Sequence, residues 1–263
     1  MAHLRDKASA LGQGVVIFVY LAVLTLIEFF IAVTFESVAL LALVAVIKAA
    51  LVMYYYMHIY KLNENDGGDD PHSYAYKSGT NRLGLWLFLL SDGFVFAGLL
   101  VARINLLGLT RPEALDQFLG LAVTAVLLVS SFFMNRGETA MSYGDVKGFM
   151  NNTLITFILG LGFFLGVVFV EWPEAAHKGL TVDFGNPAAG PMGGVFYMMT
   201  GMHAFHVFTG LVFLFIVWNN ARKGVYTTEK RFPVEAAAVY WHFVDLVWIF
   251  FYPALYLIGT AVK

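Results

Sequence analysis

The chain has 263 residues, of which 59% are hydrophobic, 16% aromatic and only 13% charged, with a mean hydropathy of +0.73. That is too little charge to cover the surface of a water-soluble domain of this size. A net charge of −2 offers no basic surface to a nucleic acid, and the lack of cysteine excludes disulfides, thiolate metal sites, iron–sulfur clusters and cysteine-attached haem.

A helix needs about 20 apolar residues to cross the hydrocarbon of a bilayer. Seven stretches meet or approach this: Val15–Phe35, Val38–Tyr60, Leu83–Ala102, Phe118–Met134, Leu154–Val170, Gly194–Trp218 and Ala237–Ile258. The first follows a short charged start, is longer than a signal-peptide core, contains Glu28 and lacks an Ala-x-Ala cleavage pattern, so it reads as a retained anchor. Uniformly apolar stretches, without in-and-out alternation, argue against a β-barrel. The expected fold is therefore all-α: a polytopic membrane protein with seven transmembrane helices.

The turn at Glu36-Ser37 is very tight and makes a hairpin of the first two spans. The polar stretch Asn63–Thr80, with Gly67-Gly68 and Pro71, reads as a linker. It divides the chain into a hairpin (1–62) and a five-helix bundle (81–263). Outside the spans, eleven Lys and Arg fall on the side of the N-terminus and four on the other. The expected orientation has the N-terminus in the cytoplasm and the C-terminus outside. No fixed-period repeat is visible, which argues against an inverted-repeat transporter.

Ionisable side chains inside hydrocarbon are costly and need a partner or a purpose. Glu28 lies seven residues from the outer hairpin turn and Lys48 about ten. The two depths differ by roughly 4–5 Å, so either an ion pair locks the hairpin, or Lys48 snorkels while Glu28 faces another subunit. Asp92 sits near mid-membrane in the third span, as a tie between helices or as a member of a proton relay. His203 and His206, three apart, share a helix face. Two histidines are too few for a zinc or copper site, and the flanking Gly201 and Gly210 point to close helix packing instead. Gly162 and Gly166 give the same packing signal in the fifth span. In the last span His242 and Asp245 share a face, able to hydrogen-bond each other or a neighbouring helix, and Pro253 is expected to kink the outer end. Arg82, Arg136, Arg222, Lys223, Lys230 and Arg231, with Tyr226, Tyr240, Trp241 and His242 near them, suit anionic phospholipid head groups, or express only the ordinary positive-inside bias.

These residues also carry a resemblance. The run Glu235–Asp245 (EAAAVYWHFVD) and its continuation resemble the last helix of subunit III of haem-copper cytochrome c oxidases. Residues 200–210 (TGMHAFHVFTG) are similar to that family's preceding helix, and Arg82–Asp92 to its Arg-Leu-Gly-x-x-Leu-Phe-x-x-Ser-Glu helix. Ser130-Ser131 and Glu171 fall where the family places a serine pair and an acidic residue. The likeness covers about residues 81–263. Asp92 replaces the family's embedded Glu and is one methylene shorter. Ile47–His58 resembles instead the small bacterial oxidase subunit IV, which implies a natural fusion of a subunit IV-like hairpin with subunit III.

The resemblance implies a supporting role in an aerobic respiratory, proton-pumping complex of a bacterial plasma membrane. It implies no catalytic residue, metal or redox cofactor in this chain. Haems and copper are expected in partner subunits I and II, and bound phospholipid in the chain itself. Asp92 matches the embedded carboxylate, while His203, His206, Glu235, His242 and Asp245 match positions of structural or lipid-linked character. An accessory of a quinol oxidase or a nitric oxide reductase, a stand-alone transporter, and a haem protein using His203 or His206 are the alternatives.

Overall fold

A computed structural model describes residues 6–35, 37–63, 70–182 and 191–262. Glu36, Gly67 and Gly68, to which the sequence assigns turn and linker roles, lie outside the described residues. Among the described residues seven helices are long and apolar enough to cross a membrane. They comprise α1 (Lys7–Thr34), α2 (Val38–Leu51, continued by a π turn Val52–Tyr56), α3 (Tyr74–Leu107), α4 (Gln117–Ser142), α5 (Val146–Leu165), α7 (Met192–Arg222) and α8 (Phe232–Tyr252, continued by a π turn Pro253–Leu257). The short α6 (Trp172–His177) prolongs α5 through a π turn at Gly166–Glu171.

Most of the helices outrun the apolar stretches, because hydropathy sees only the hydrocarbon while capping chemistry sets the true ends. The Ser73 hydroxyl accepts from the Tyr76 amide and starts α3, so Tyr74–Thr80, expected within the linker, form its first turns. Asp116 caps α4 by accepting from the Phe118 and Leu119 amides, and Asp145 caps α5 by accepting from the Gly148 amide. Proline has no N–H to donate, and at Pro253 the α8 ladder widens into its π turn.

α8 is the hub of the bundle: 83% of its most apolar window is buried, against 11% for α3. Close approach to α8 comes from glycines. A Cβ on Gly160 would lie 2.3 Å from the Trp241 ring, and one on Gly210 2.9 Å from the other edge of the same indole. The contact expected at Gly162 and Gly166 is not made among the described residues, where a Cβ at either position meets nothing within 4 Å. At 3.6 residues per turn, Gly160 is turned to the opposite side of α5 from Gly162, and Gly160's side is the one that meets Trp241 and Leu211.

The face opposite the N-terminus is closed by a two-stranded parallel sheet, β1 (Thr110–Pro112) with β2 (Thr260–Val262). Gly259, at φ +94°, passes so close to the Leu109 carbonyl that any Cβ would clash. Beneath the sheet the Arg103 guanidinium is buried and donates to the carbonyls of Ala254, Gly108, Thr110 and Ile258. Two of these acceptors, the carbonyls of Ala254 and Ile258, bind the end of α3 to the end of α8.

Candidate functional site

The polar residues gather in three places. The first lies between α3 and α7 at mid-helix, where His206 Nε2 stands 3.4 Å from Asp92 Oδ2. His206 Nδ1 is 2.8 Å from the Met202 carbonyl. A carbonyl only accepts, so Nδ1 carries a proton. Nε2 faces Asp92 Oδ2 at ion-pair distance, although that oxygen makes no hydrogen bond among the described residues. The pair is partly open on the poorly covered side of α3. Tyr240, from α8, completes this patch with its hydroxyl 3.5 Å from the His206 carbonyl.

The second place is the seam between the hairpin and the last helix. Lys48 donates to Glu28, both fully buried. Across the seam Asp245 and His242 are also buried, and His242 packs 5.0 Å from the Tyr56 ring. His242 and Asp245 do not pair with each other. Both His242 nitrogens and Asp245 Oδ2 lack a hydrogen-bond partner among the described residues.

The third place lies at the face of the N-terminus, where the hairpin ends. Arg82 donates to both carboxylate oxygens of Glu235 at 2.9 and 3.3 Å, the bidentate geometry that strengthens such contacts. Lys61 stands 3.7 Å from Glu138 and 4.0 Å from Glu235, and His58 Nδ1 is 3.9 Å from Glu138. Burial, and then the nearby Lys61 ammonium, hold the His58 imidazole down to about 3, so it is neutral at physiological pH. Its backbone is left-handed, at φ +53°.

Glu138, His58 and Lys61 escape the sequence reading because the apolar stretches end before Glu138 and blur at Tyr60. One signal was available: Glu138 follows Ser131 by seven residues and so shares its helix face. His203 is buried against Trp248, stacked at 4.9 Å, and both of its nitrogens lack a hydrogen-bond partner among the described residues.

Several expected head-group residues are placed otherwise. Trp241 is fully buried, its indole donating to the Ser130 hydroxyl at 3.1 Å, and Tyr240 is buried too. The glycine gaps at Gly160 and Gly210 draw the indole inward, away from the head-group level. Arg82 is committed to Glu235. Arg136 lies over Phe132 at 5.6 Å, and Arg222 over Trp218 at 4.9 Å. Arg222 and Lys223 are exposed. Among the described residues no group of three or more His, Asp or Glu could hold a metal ion.

An embedded carboxylate–histidine pair, a buried Trp-His-x-x-Asp last helix and seven apolar helices now stand together. The family pattern described as cytochrome c oxidase subunit III matches residues 3–260. The chain belongs to that family. Cytochrome c oxidase subunit 3 of Thermostichus vulcanus is 35% identical over 67% of the chain and 86% of its own length. The protein of that name from Synechocystis sp. is 30% identical over 75% and 84%. Quinol oxidase subunit 3 of Bacillus spizizenii is 29% identical over 75% and 97%. This subunit III is thus a multi-pass membrane protein and a supporting subunit of a haem-copper oxidase complex.

Proposed function

We propose that this subunit sustains a proton-pumping cytochrome c oxidase without a catalytic centre of its own. It binds phospholipid and stabilises subunits I and II, where the haems and copper reside, in a state that keeps taking up protons. The supporting observation is the open side of α3, with the Asp92–His206 pair set at mid-membrane. A lipid lying there covers a polar pair that hydrocarbon alone solvates poorly. The exposed Arg222 and Lys223 are placed for anionic head groups in a cytoplasmic leaflet. With that face inward, the C-terminus is outside the plasma membrane of a bacterium.

The hairpin of residues 1–62, through its subunit IV-like run Ile47–His58, supplies part of this support within one chain. A second reading, support of a quinol oxidase, draws on the likeness to the Bacillus spizizenii protein over nearly all of its length. A dinuclear copper signal in the purified complex decides for cytochrome c as donor.

The test is deletion of this chain. Haem and copper content of the remaining complex should stay unchanged, while oxygen reduction during continuous turnover decays faster than in the intact complex. Loss of a metal centre from a complex in which subunits I and II remain assembled would overturn the reading.

A further inference from the structure

Three buried ionisable groups from three helices line the seam between the hairpin and α8: Glu28 of α1, Lys48 of α2 and Asp245 of α8, at 0%, 1% and 2% exposure. Lys48 donates to Glu28 Oε2 and acts electrostatically on Asp245, beside which the Ser131 hydroxyl of α4 lies. Glu28 Oε1 and Asp245 Oδ2 have no hydrogen-bond partner among the described residues. One ammonium balances one carboxylate. A second carboxylate would leave net negative charge in an interior that is itself wrapped in hydrocarbon, where an unpaired ion is strongly disfavoured.

We propose that Glu28 and Asp245, with the Lys48 ammonium beside them, share one carboxyl proton, forming a proton-binding site within this chain that is reached from the N-terminal face past His242 and Tyr56. Uptake forms one carboxyl O–H bond from a carboxylate and a proton delivered by water; release reverses it, and no other bond changes.

The route consists of groups that want water. Neither ring nitrogen of His242 has a hydrogen-bond partner among the described residues. Tyr56, at 5.0 Å from that ring, donates to the Gly14 carbonyl at 3.3 Å and lies within electrostatic reach of Asp245. Beyond them His58 stands 3.9 Å from Glu138, at the mouth. On the far side of the triad, the Tyr252 hydroxyl has no hydrogen-bond partner among the described residues and lies within electrostatic reach of Glu28, and Tyr256 donates to Glu171. Buried polar atoms without protein partners are ordinarily satisfied by internal water, each molecule making about three hydrogen bonds. The proposal involves neither the Asp92–His206 pair nor lipid, and it stands or falls apart from the function proposed above.

The experiment is infrared spectroscopy of the whole detergent-solubilised complex carrying this chain. Asp245→Asn and Glu28→Gln should each remove one protonated-carboxyl C=O band, since either leaves the ammonium with a single carboxylate. Lys48→Met should add one band, both carboxyls then being neutral. The band should shift on transfer to D2O. An unchanged carboxyl region in Asp245→Asn or Glu28→Gln overturns the shared proton, and a band that D2O leaves unshifted overturns the route. Where neither carboxyl variant assembles, Ser131→Ala keeps all three groups and changes only the hydroxyl beside Asp245. It must move the frequency of the same band, and no movement overturns the proposal.

Discussion

Single atoms decide how tightly α8 is gripped. A methyl group on Gly160 would meet Trp241 at 2.3 Å, and overpacking of this kind costs about 1–3 kcal/mol. We expect Gly160→Ala to lower the midpoint of thermal unfolding of the complex-bound subunit, followed by the fluorescence of its tryptophans. Gly162→Ala, where a Cβ meets nothing, should leave the midpoint unchanged or raise it, because alanine favours a helix over glycine by about 1 kcal/mol. A second residue-scale expectation concerns His58. Its folded-state value of about 3 lies below the ordinary 6.5. Between those limits the unfolded chain binds the proton and the folded chain does not. Stability is therefore lost as pH falls from 6.5 toward 3, and regained as it rises. His58→Asn, which tolerates the left-handed backbone, should flatten the slope of stability against pH in that window by up to one proton, measured by urea midpoints at successive pH values.

At the scale of elements, helix ends carry more than the hydropathy pattern reveals. Asp145 caps α5 and also accepts from the Lys7 ammonium at 2.8 Å, tying the start of α1 to the α4–α5 turn. That hydrogen bond, with the Gly148 amide behind it, holds the carboxyl below its ordinary range. The contribution is present at neutral pH and lost as pH falls through the lowered value. Asp145→Ala should cost about 0.5–2 kcal/mol by loss of the cap. Asp145→Asn should cost much less, since asparagine caps equally well and the half-exposed ion pair adds little. Denaturant midpoints in detergent check both. The Lys7–Asp145 link was not legible in the sequence, because the partners stand 138 residues apart. The number and order of the spans were legible, since 20 apolar residues have few other uses in a chain with so little charge. The embedded ionisable residues were legible as anomalies for the same reason. Their partners were not: nothing in the spacing of His203 and His206 says that one stacks on Trp248 while the other reaches Asp92. Helical phase also misled at Gly162 and Gly166, whose four-residue spacing is right for packing but whose side of α5 meets no other helix among the described residues.

For the whole molecule, the question is whether two helices and five form one body. The polar seam argues that they do. Glu28 and Lys48 satisfy each other inside the hairpin, but the groups they cover belong to the bundle: Ser131, His242 and Asp245 are fully or nearly fully buried. At the N-terminal face, Lys61 of the hairpin's end stands between Glu138 and Glu235. Removing residues 1–63 would turn Asp245 and His242 toward lipid, leave Glu235 to Arg82 and deprive Glu138 of Lys61. Polar groups exposed to hydrocarbon are costly enough that we expect a chain beginning at residue 64 to assemble poorly into the oxidase complex. Supplying residues 1–63 as a separate polypeptide should restore assembly, because the contacts across the seam need no covalent link. Co-purification of both pieces with the complex, against the bundle alone, measures this directly. Equal recovery of the bundle with and without the hairpin would show the seam to be dispensable, and Glu138→Gln in the split system should then leave recovery untouched. If the seam binds the halves, that substitution should instead weaken recovery of the hairpin piece by removing the negative charge that faces Lys61.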